Sequence, residues 1–148
     1  MAESFLLPAK GTGFGRSGRR RLLLVDDDPA VGRFLAHAAE ECGLEAIVTV
    51  TAENFRSRYR DARPGIIVLD LALPGSDGVE LLRFLAEEKS RARVILISGF
   101  DTRVLEAAMR LGAAMGLRMA EPLHKPVRLE QLMATMTGEE VIDDPCLG

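Results

Sequence analysis

Leu22-Leu23-Leu24-Val25-Asp26-Asp27-Asp28-Pro29 decides how the rest of the chain is read. Four apolar residues in a row, with no polar alternation, suit a strand covered on both faces. Three acids end the run, and Asp28-Pro29 offers a helix N-cap followed by a proline at the first helical position. A buried strand leading straight into a helix is half of a β–α–β unit, from which parallel sheets are assembled.

The same pattern recurs downstream. Val31, Phe34, Leu35, Ala38 and Cys42 fall at helical spacing, and Gly43 closes that helix. Leu44 to Val50 reads as a second strand. Thr51 caps a helix with Ala52, Phe55, Tyr59 and Ala62 on one face, stopped by Arg63-Pro64-Gly65. Ile66-Ile67-Val68-Leu69 is a third strand ending at Asp70. The loop Pro74-Gly75-Ser76-Asp77-Gly78 leads into a helix with Val79, Leu82, Leu85 and Ala86 on its inner side. Val94-Ile95-Leu96-Ile97 is a fourth strand ending at Ser98-Gly99, and a helix follows from near Asp101 to near Met115. A fifth strand over Leu117–Leu123 is the weakest, because Glu121-Pro122 interrupts it. The last helix starts near Arg128, with Leu129, Leu132, Met133 and Met136 on one face. Five such units predict an α/β fold, a doubly wound parallel sheet with helices on both faces. Two open strand orders are common for it; in the order 2-1-3-4-5, ligands bind beyond the carboxyl ends of the strands.

Composition agrees with one domain. The chain has 148 residues and is 47% hydrophobic, too apolar for wholesale disorder. No apolar run approaches the roughly 20 residues of a membrane span. Phe5-Leu6-Leu7 precedes the positive charges rather than following them, so no signal peptide is read. Cys42 and Cys146 form no disulfide framework, and their scarcity fits a reducing cytoplasm. Residues 1–20 read as a flexible basic tail, residues 21–137 as the folded domain and residues 138–148 as an acidic tail, too short for an output domain. Within the first tail, Gly13-Phe14-Gly15-Arg16-Ser17-Gly18 matches a dinucleotide-binding fingerprint by letter only, since its strand follows instead of preceding it. The net charge of −3 makes direct binding of duplex DNA unfavourable.

The strand ends carry the chemistry. The first ends in Asp26-Asp27-Asp28, the third in Asp70 and the fourth in Ser98, while Lys125-Pro126 follows the fifth. In the order 2-1-3-4-5 these groups meet on one rim. Two carboxylates about 4 Å apart repel by roughly 4 kcal/mol at an effective dielectric near 20, so one protonates or a cation joins them. A hard, oxygen-liganded cation such as Mg2+ suits a site without Cys or paired His. Lys125 supplies a point charge for phosphate oxygens, Ser98 a hydroxyl donor, and Asp70 a carboxylate able to form an acyl phosphate.

Leu24-Val25-Asp26-Asp27-Asp28, Ile67-Val68-Leu69-Asp70-Leu71-Ala72-Leu73-Pro74-Gly75-Ser76-Asp77-Gly78, Ile95-Leu96-Ile97-Ser98-Gly99 and Lys125-Pro126 together resemble the receiver domain of two-component response regulators. The resemblance spans Arg21 to Met136, with four separated motifs in order. It implies the flavodoxin-like, five-stranded sheet with order 2-1-3-4-5. It implies that Asp70 accepts a phosphoryl group from a histidine kinase or phosphotransfer protein. Asp26, Asp27, Asp70 and the Ala72 backbone carbonyl would hold Mg2+, Ser98 would bond a phosphate oxygen, and Lys125 would pair with the phosphoryl group. A cis bond before Pro126 is also implied. The expected role is a phosphorylation-controlled signalling module acting on an unidentified downstream protein, with homodimerisation as one route.

There are departures from the pattern. Pro122 stands where receivers commonly place an aromatic switch partner, and the stretch from Gly112 to Lys125 is long, which suggests an extended fourth helix. Ala72 and Phe100 occupy positions that tune phosphate lifetime in the family, and neither can orient a water, so slow self-dephosphorylation is expected. Two other functions fit parts of the sequence. One is a degenerate receiver acting as a constitutive adaptor. The other is a haloacid-dehalogenase-like phosphatase, suggested by Asp26-x-Asp28, which leaves Asp70 unexplained. His37 reads as a surface residue, His124 as a possible neighbour of the rim, Cys42 as a small core residue, and the methionines of the last third mostly as core.

Overall fold

The computed structural model describes residues 20–73, 78–99 and 101–137. In chain order the elements are β1 (Arg21–Val25), α1 (Pro29–Glu41), β2 (Glu45–Thr49), α2 (Ala52–Ala62), β3 (Ile66–Asp70), α3 (Gly78–Glu87), β4 (Arg93–Ser98), α4 (Thr102–Ala114), β5 (Arg118–Met119), β6 (Leu123–His124) and α5 (Leu129–Thr137). The strands pair in parallel in the order β2-β1-β3-β4-β5, and β6 also pairs with β4. The expected readings of the two tails, of Phe100, of Cys146 and of residues 74–77 lie outside the described residues.

Alternation along each strand divides the apolar residues between two faces. Leu23, Val25, Ile67, Leu69, Val94 and Leu96 pack with Phe55 of α2, Leu81, Leu82 and Leu85 of α3, and Leu105 and Ala108 of α4. Leu22, Leu24, Ile66, Val68, Ile95 and Ile97 pack with Leu35, Ala38 and Ala39 of α1 and Leu132 and Met136 of α5. Three helices therefore cover one face and two the other. Burial on both faces explains why these strands read as unbroken apolar runs.

Asp28, Thr51 and Asp101 cap α1, α2 and α4 by accepting backbone N–H bonds from the first turn. At the other ends, α1 and α4 close on Gly43 (φ 82°) and Gly116 (φ 90°). The Leu44 N–H reaches Ala39 O at 2.9 Å, and the Leu117 N–H reaches Gly112 O at 3.0 Å. α3 closes the same way on Lys89 (φ 56°), a left-handed position without glycine.

The fifth strand position differs from the single strand expected. It is filled by two short pieces, β5 and β6. Arg93 and Val94 pair with Arg118 and Met119, whereas Ile97 and Ser98 pair with Leu123 and His124, one residue further along. An extra residue is thus housed in Ala120-Glu121-Pro122, a β-bulge. Ala120 N–H still donates to Val94 O at 2.8 Å, but Pro122 has no N–H to give; pairing resumes at Leu123 and extends past β6 through Lys125 N–H to Ser98 O, 2.9 Å. Helix faces also differ in detail. Leu81 is fully buried where Val79 was expected, and in α5 Leu129 is 47% exposed while Thr135 is buried. Thr135 tolerates this because its hydroxyl donates to Gln131 O within the helix.

Candidate functional site

Register brings the site together. Val25 pairs with Leu69, and each is followed by an aspartate, so Asp26 and Asp70 leave adjacent strands side by side. Asp70 pairs with Ile97, which precedes Ser98, and Ser98 pairs with His124, which precedes Lys125. The one-residue bulge sets that last relation, because a slip of one residue reverses the face each side chain takes. The Lys125-Pro126 peptide is cis.

The carboxylates of Asp26, Asp27 and Asp70 each offer an oxygen within 4.8 Å of the others. Asp26 and Asp70 are buried, and Asp27 is exposed. Asp26 Oδ1 accepts the Asp28 N–H at 2.9 Å, and the Asp26 N–H donates to Thr49 O at 3.1 Å. Thr49 is itself buried, its hydroxyl bonded to Leu24 O. Asp70 Oδ1 accepts the Ala72 N–H at 2.9 Å, which places Ala72 beside the cluster. Lys125 Nζ lies 3.2 Å from Asp26 Oδ2 and 3.2 Å from Asp70 Oδ2.

The charge balance is strained toward the acids. Asp26 Oδ2 is buried and has no hydrogen bond, although the Lys125 ammonium faces it. Burial pushes the Asp26 carboxyl above its ordinary value, and the charge of Asp70 pushes the same way; the Asp28 N–H and then Lys125 oppose them. Burial also works against the Lys125 ammonium, but the charge and hydrogen bond of Asp70, then the charge of Asp26, outweigh it and raise its pKa. One ammonium thus spans two buried carboxylates, with a third carboxylate at the mouth. An all-oxygen donor set with an unsatisfied buried oxygen fits a hard divalent cation.

The five expected side chains gather at this rim in register, with Ser98 buried at the end of β4. Asp28 does not join them. Its carboxylate caps α1 through the Ala30 N–H, which removes the second acid that the phosphatase reading needs. His124 is exposed and lines a separate hollow of about 300 Å³ with Leu105, Met109 and Pro122. His37 is at the surface, 3.7 Å from Glu41. Cys42, Met109, Met115 and Met119 pack against the core, and Met136 is buried in it. The role of Thr49 in holding Asp26 was not read from the sequence; a threonine ending an otherwise half-exposed edge strand was the signal.

The response regulator receiver domain family model matches residues 22–137. A curated relative, the C4-dicarboxylate transport transcriptional regulatory protein DctD of Pseudomonas aeruginosa, is 37% identical over 94 residues, covering 63% of this chain and 20% of that protein. The photosynthetic apparatus regulatory protein RegA of Rhodobacter capsulatus is 33% identical over 95 residues, covering 64% of this chain and 52% of RegA. The chain therefore spans from a fifth to about half of the length of these relatives. Among solved structures, a response regulator from Colwellia psychrerythraea is 34% identical with a TM-score of 0.65, covering 80% of this chain and 94% of that one. The chemotaxis response regulator CheY4 of Vibrio cholerae shares the fold, with a TM-score of 0.69 at 19% identity over 81% of this chain and 98% of that one. With the strand order, the acid cluster and the family match in agreement, this chain belongs to the response regulator receiver domains of two-component systems.

Proposed function

We propose that the chain is a phosphorylation-controlled signalling module in which Asp70 accepts a phosphoryl group from a histidine kinase or phosphotransfer protein. The observation that carries this reading is the position of Lys125 Nζ, 3.2 Å from both Asp26 and Asp70, beside three carboxylates clustered within 4.8 Å. Asp26, Asp27, Asp70 and the Ala72 carbonyl would hold Mg2+. When bound, Mg2+ supplies charge neutralisation at the phosphoryl oxygens. A carboxylate oxygen of Asp70 attacks phosphorus in line with the bond to the donor's imidazole nitrogen. The O–P bond forms as the N–P bond breaks, and the departing nitrogen keeps the electron pair. Lys125 then turns from Asp70 to the new phosphoryl oxygens, and the Ser98 hydroxyl donates to another of them. Transfer of this kind depends mostly on positioning and charge compensation, which fixed strand ends provide.

Pro122 cannot act as an aromatic partner to Ser98, so the change of state would pass through the backbone of β6 and the loop before α4 to a protein-binding surface. Incubation with acetyl phosphate and Mg2+ should add about one phosphate mass, and Asp70→Asn should add none. An unlabelled wild type, in conditions that label a control receiver, supports the constitutive adaptor instead. Ala72 is exposed beside Asp70 and offers no side-chain hydrogen bond to a water. The phosphoryl group should therefore persist well beyond seconds in Mg2+ buffer, and decay within seconds would refute that part.

A further inference from the structure

A second concavity lies at the opposite end of the sheet, where the strands begin. It encloses about 730 Å³, within the size of small-ligand sites. Arg20, Arg60, Arg63, Lys89, Arg91 and Arg118 line it, with Glu88 as the single carboxylate in the lining. Glu88 is already committed to Arg60, at 2.8 Å.

Part of this charge has a structural use. α2 and α3 end here, and their carboxyl ends favour cations. Arg118 Nη1 donates to Arg91 O at 3.2 Å, and Arg20 Nη2 approaches Gly65 O at 3.5 Å. Each contact uses one of five guanidinium donors. Helix ends do not account for crowding: burial, then the charges of Arg93 and Arg118, hold the Arg20 guanidinium below its ordinary pKa. The Arg20 guanidinium packs over Gly65, where a Cβ would lie 3.2 Å from Arg20 Nε. In a chain of net charge −3, six cations around one hollow form a local exception. The cationic lining runs from the start of β1 to the start of β5, three strand spacings or about 14 Å. A single phosphate reaches only part of that row. The net charge of −3 disfavours a duplex, whereas a concave site favours a small ligand.

We propose that this cleft binds a small polyanion carrying two or more linked phosphate groups, with Arg20, Arg63 and Arg118 as its principal contacts. Arg guanidinium forks pair with phosphate oxygens two at a time. Tyr59, at the wall, gives a nucleoside a surface on which to rest. The site is independent of Asp70, which lies at the other rim.

Isothermal titration of the full chain with sodium tripolyphosphate, with ATP and with inorganic phosphate tests this, in EDTA and low salt. Tripolyphosphate should bind, inorganic phosphate at least tenfold more weakly by loss of one charge-assisted contact or more. Arg118→Gln and Arg63→Gln, two changes at the surface, should each weaken tripolyphosphate by about tenfold, while Arg33→Gln, an exposed arginine of α1 outside the cleft, leaves it unchanged. ATP binding as tightly as tripolyphosphate assigns recognition to the phosphate chain alone; tighter ATP binding, reduced by Tyr59→Leu, assigns it to a nucleotide. No heat and no thermal stabilisation with either probe would overturn the proposal. So would tripolyphosphate binding that is unchanged in both Arg118→Gln and Arg63→Gln.

Discussion

The two rims of the sheet carry opposite charge, and the same topology explains both. Parallel strands joined by right-handed crossovers point every helix the same way, amino ends toward one rim and carboxyl ends toward the other. The rim at the strands' carboxyl ends holds Asp26, Asp27 and Asp70, with Lys125 paired to Asp26 and Asp70 among the described residues. The rim at their amino ends holds six cations, one of them, Arg60, paired with Glu88. At the acidic rim Asp26, Asp70 and Lys125 are close together, both acids buried, so these charges are coupled strongly. The basic rim is open, and solvent screens it. Alteration of one charge should accordingly be felt as stability at the first rim and as ligand affinity at the second.

The largest stability effect should come from Lys125→Met. It leaves two buried carboxylates with no counter-charge, and in EDTA it should destabilise the fold by roughly 2–3 kcal/mol in urea unfolding. Mg2+ should restore part of that loss. An unchanged midpoint in EDTA would mean that the ammonium does not hold the pair.

Asp26→Asn sharpens the contrast with the opposite sign. It removes a buried charge whose Oδ2 has no hydrogen bond, so the metal-free protein should gain about 1 kcal/mol while the stabilisation by Mg2+ disappears. The pH dependence follows from the same group. A carboxyl raised in the folded state binds its proton more readily when folded. Its contribution to metal-free stability is therefore full below the unfolded pKa of 3.8 and lost as pH rises through the raised folded value. Protons and Mg2+ compete for that oxygen, so Mg2+ affinity should weaken on acidification while the pH is still above 3.8. A Mg2+ affinity that is flat down to that pH would contradict the role of Asp26.

The smallest effect belongs to the basic rim. Lys89→Gly relieves a left-handed residue at φ 56° and should stabilise the fold by about 0.5–1 kcal/mol by thermal unfolding. It also removes one cation from the cleft, and tripolyphosphate should bind two- to threefold more weakly, in keeping with an exposed charge. A loss of stability would show that the Lys89 side chain does more than line the cleft.

Much of this was legible in the sequence. β1, β3 and β4 are buried on both faces, so their runs Leu22–Val25, Ile66–Leu69 and Val94–Ile97 stand out, and acids or a serine end each one. Asp28 and Thr51 read as caps because the caps are local, made within three residues. The fifth strand was only partly legible: Glu121-Pro122 marked an interruption, but the one-residue shift in register across it is decided by pairing with β4. The face of α5 was misjudged at Leu129, the first residue of that helix, which is 47% exposed. The basic cleft was missed altogether, although a signal existed: Arg20-Arg21, Arg63, Arg91 and Arg118 precede or begin four of the strands. Attention to what ends a strand finds the acidic rim, and only attention to what starts it finds the other.

The most direct measurement is to locate the phosphoryl group itself. Wild-type protein labelled with acetyl phosphate in Mg2+ is digested under mildly acidic conditions, and the modified peptide is sequenced by mass spectrometry. The predicted result is a single acyl phosphate on Asp70, absent when EDTA replaces Mg2+. A phosphoryl group on Asp26 or Asp27, or labelling that ignores the removal of the ion, would contradict the account.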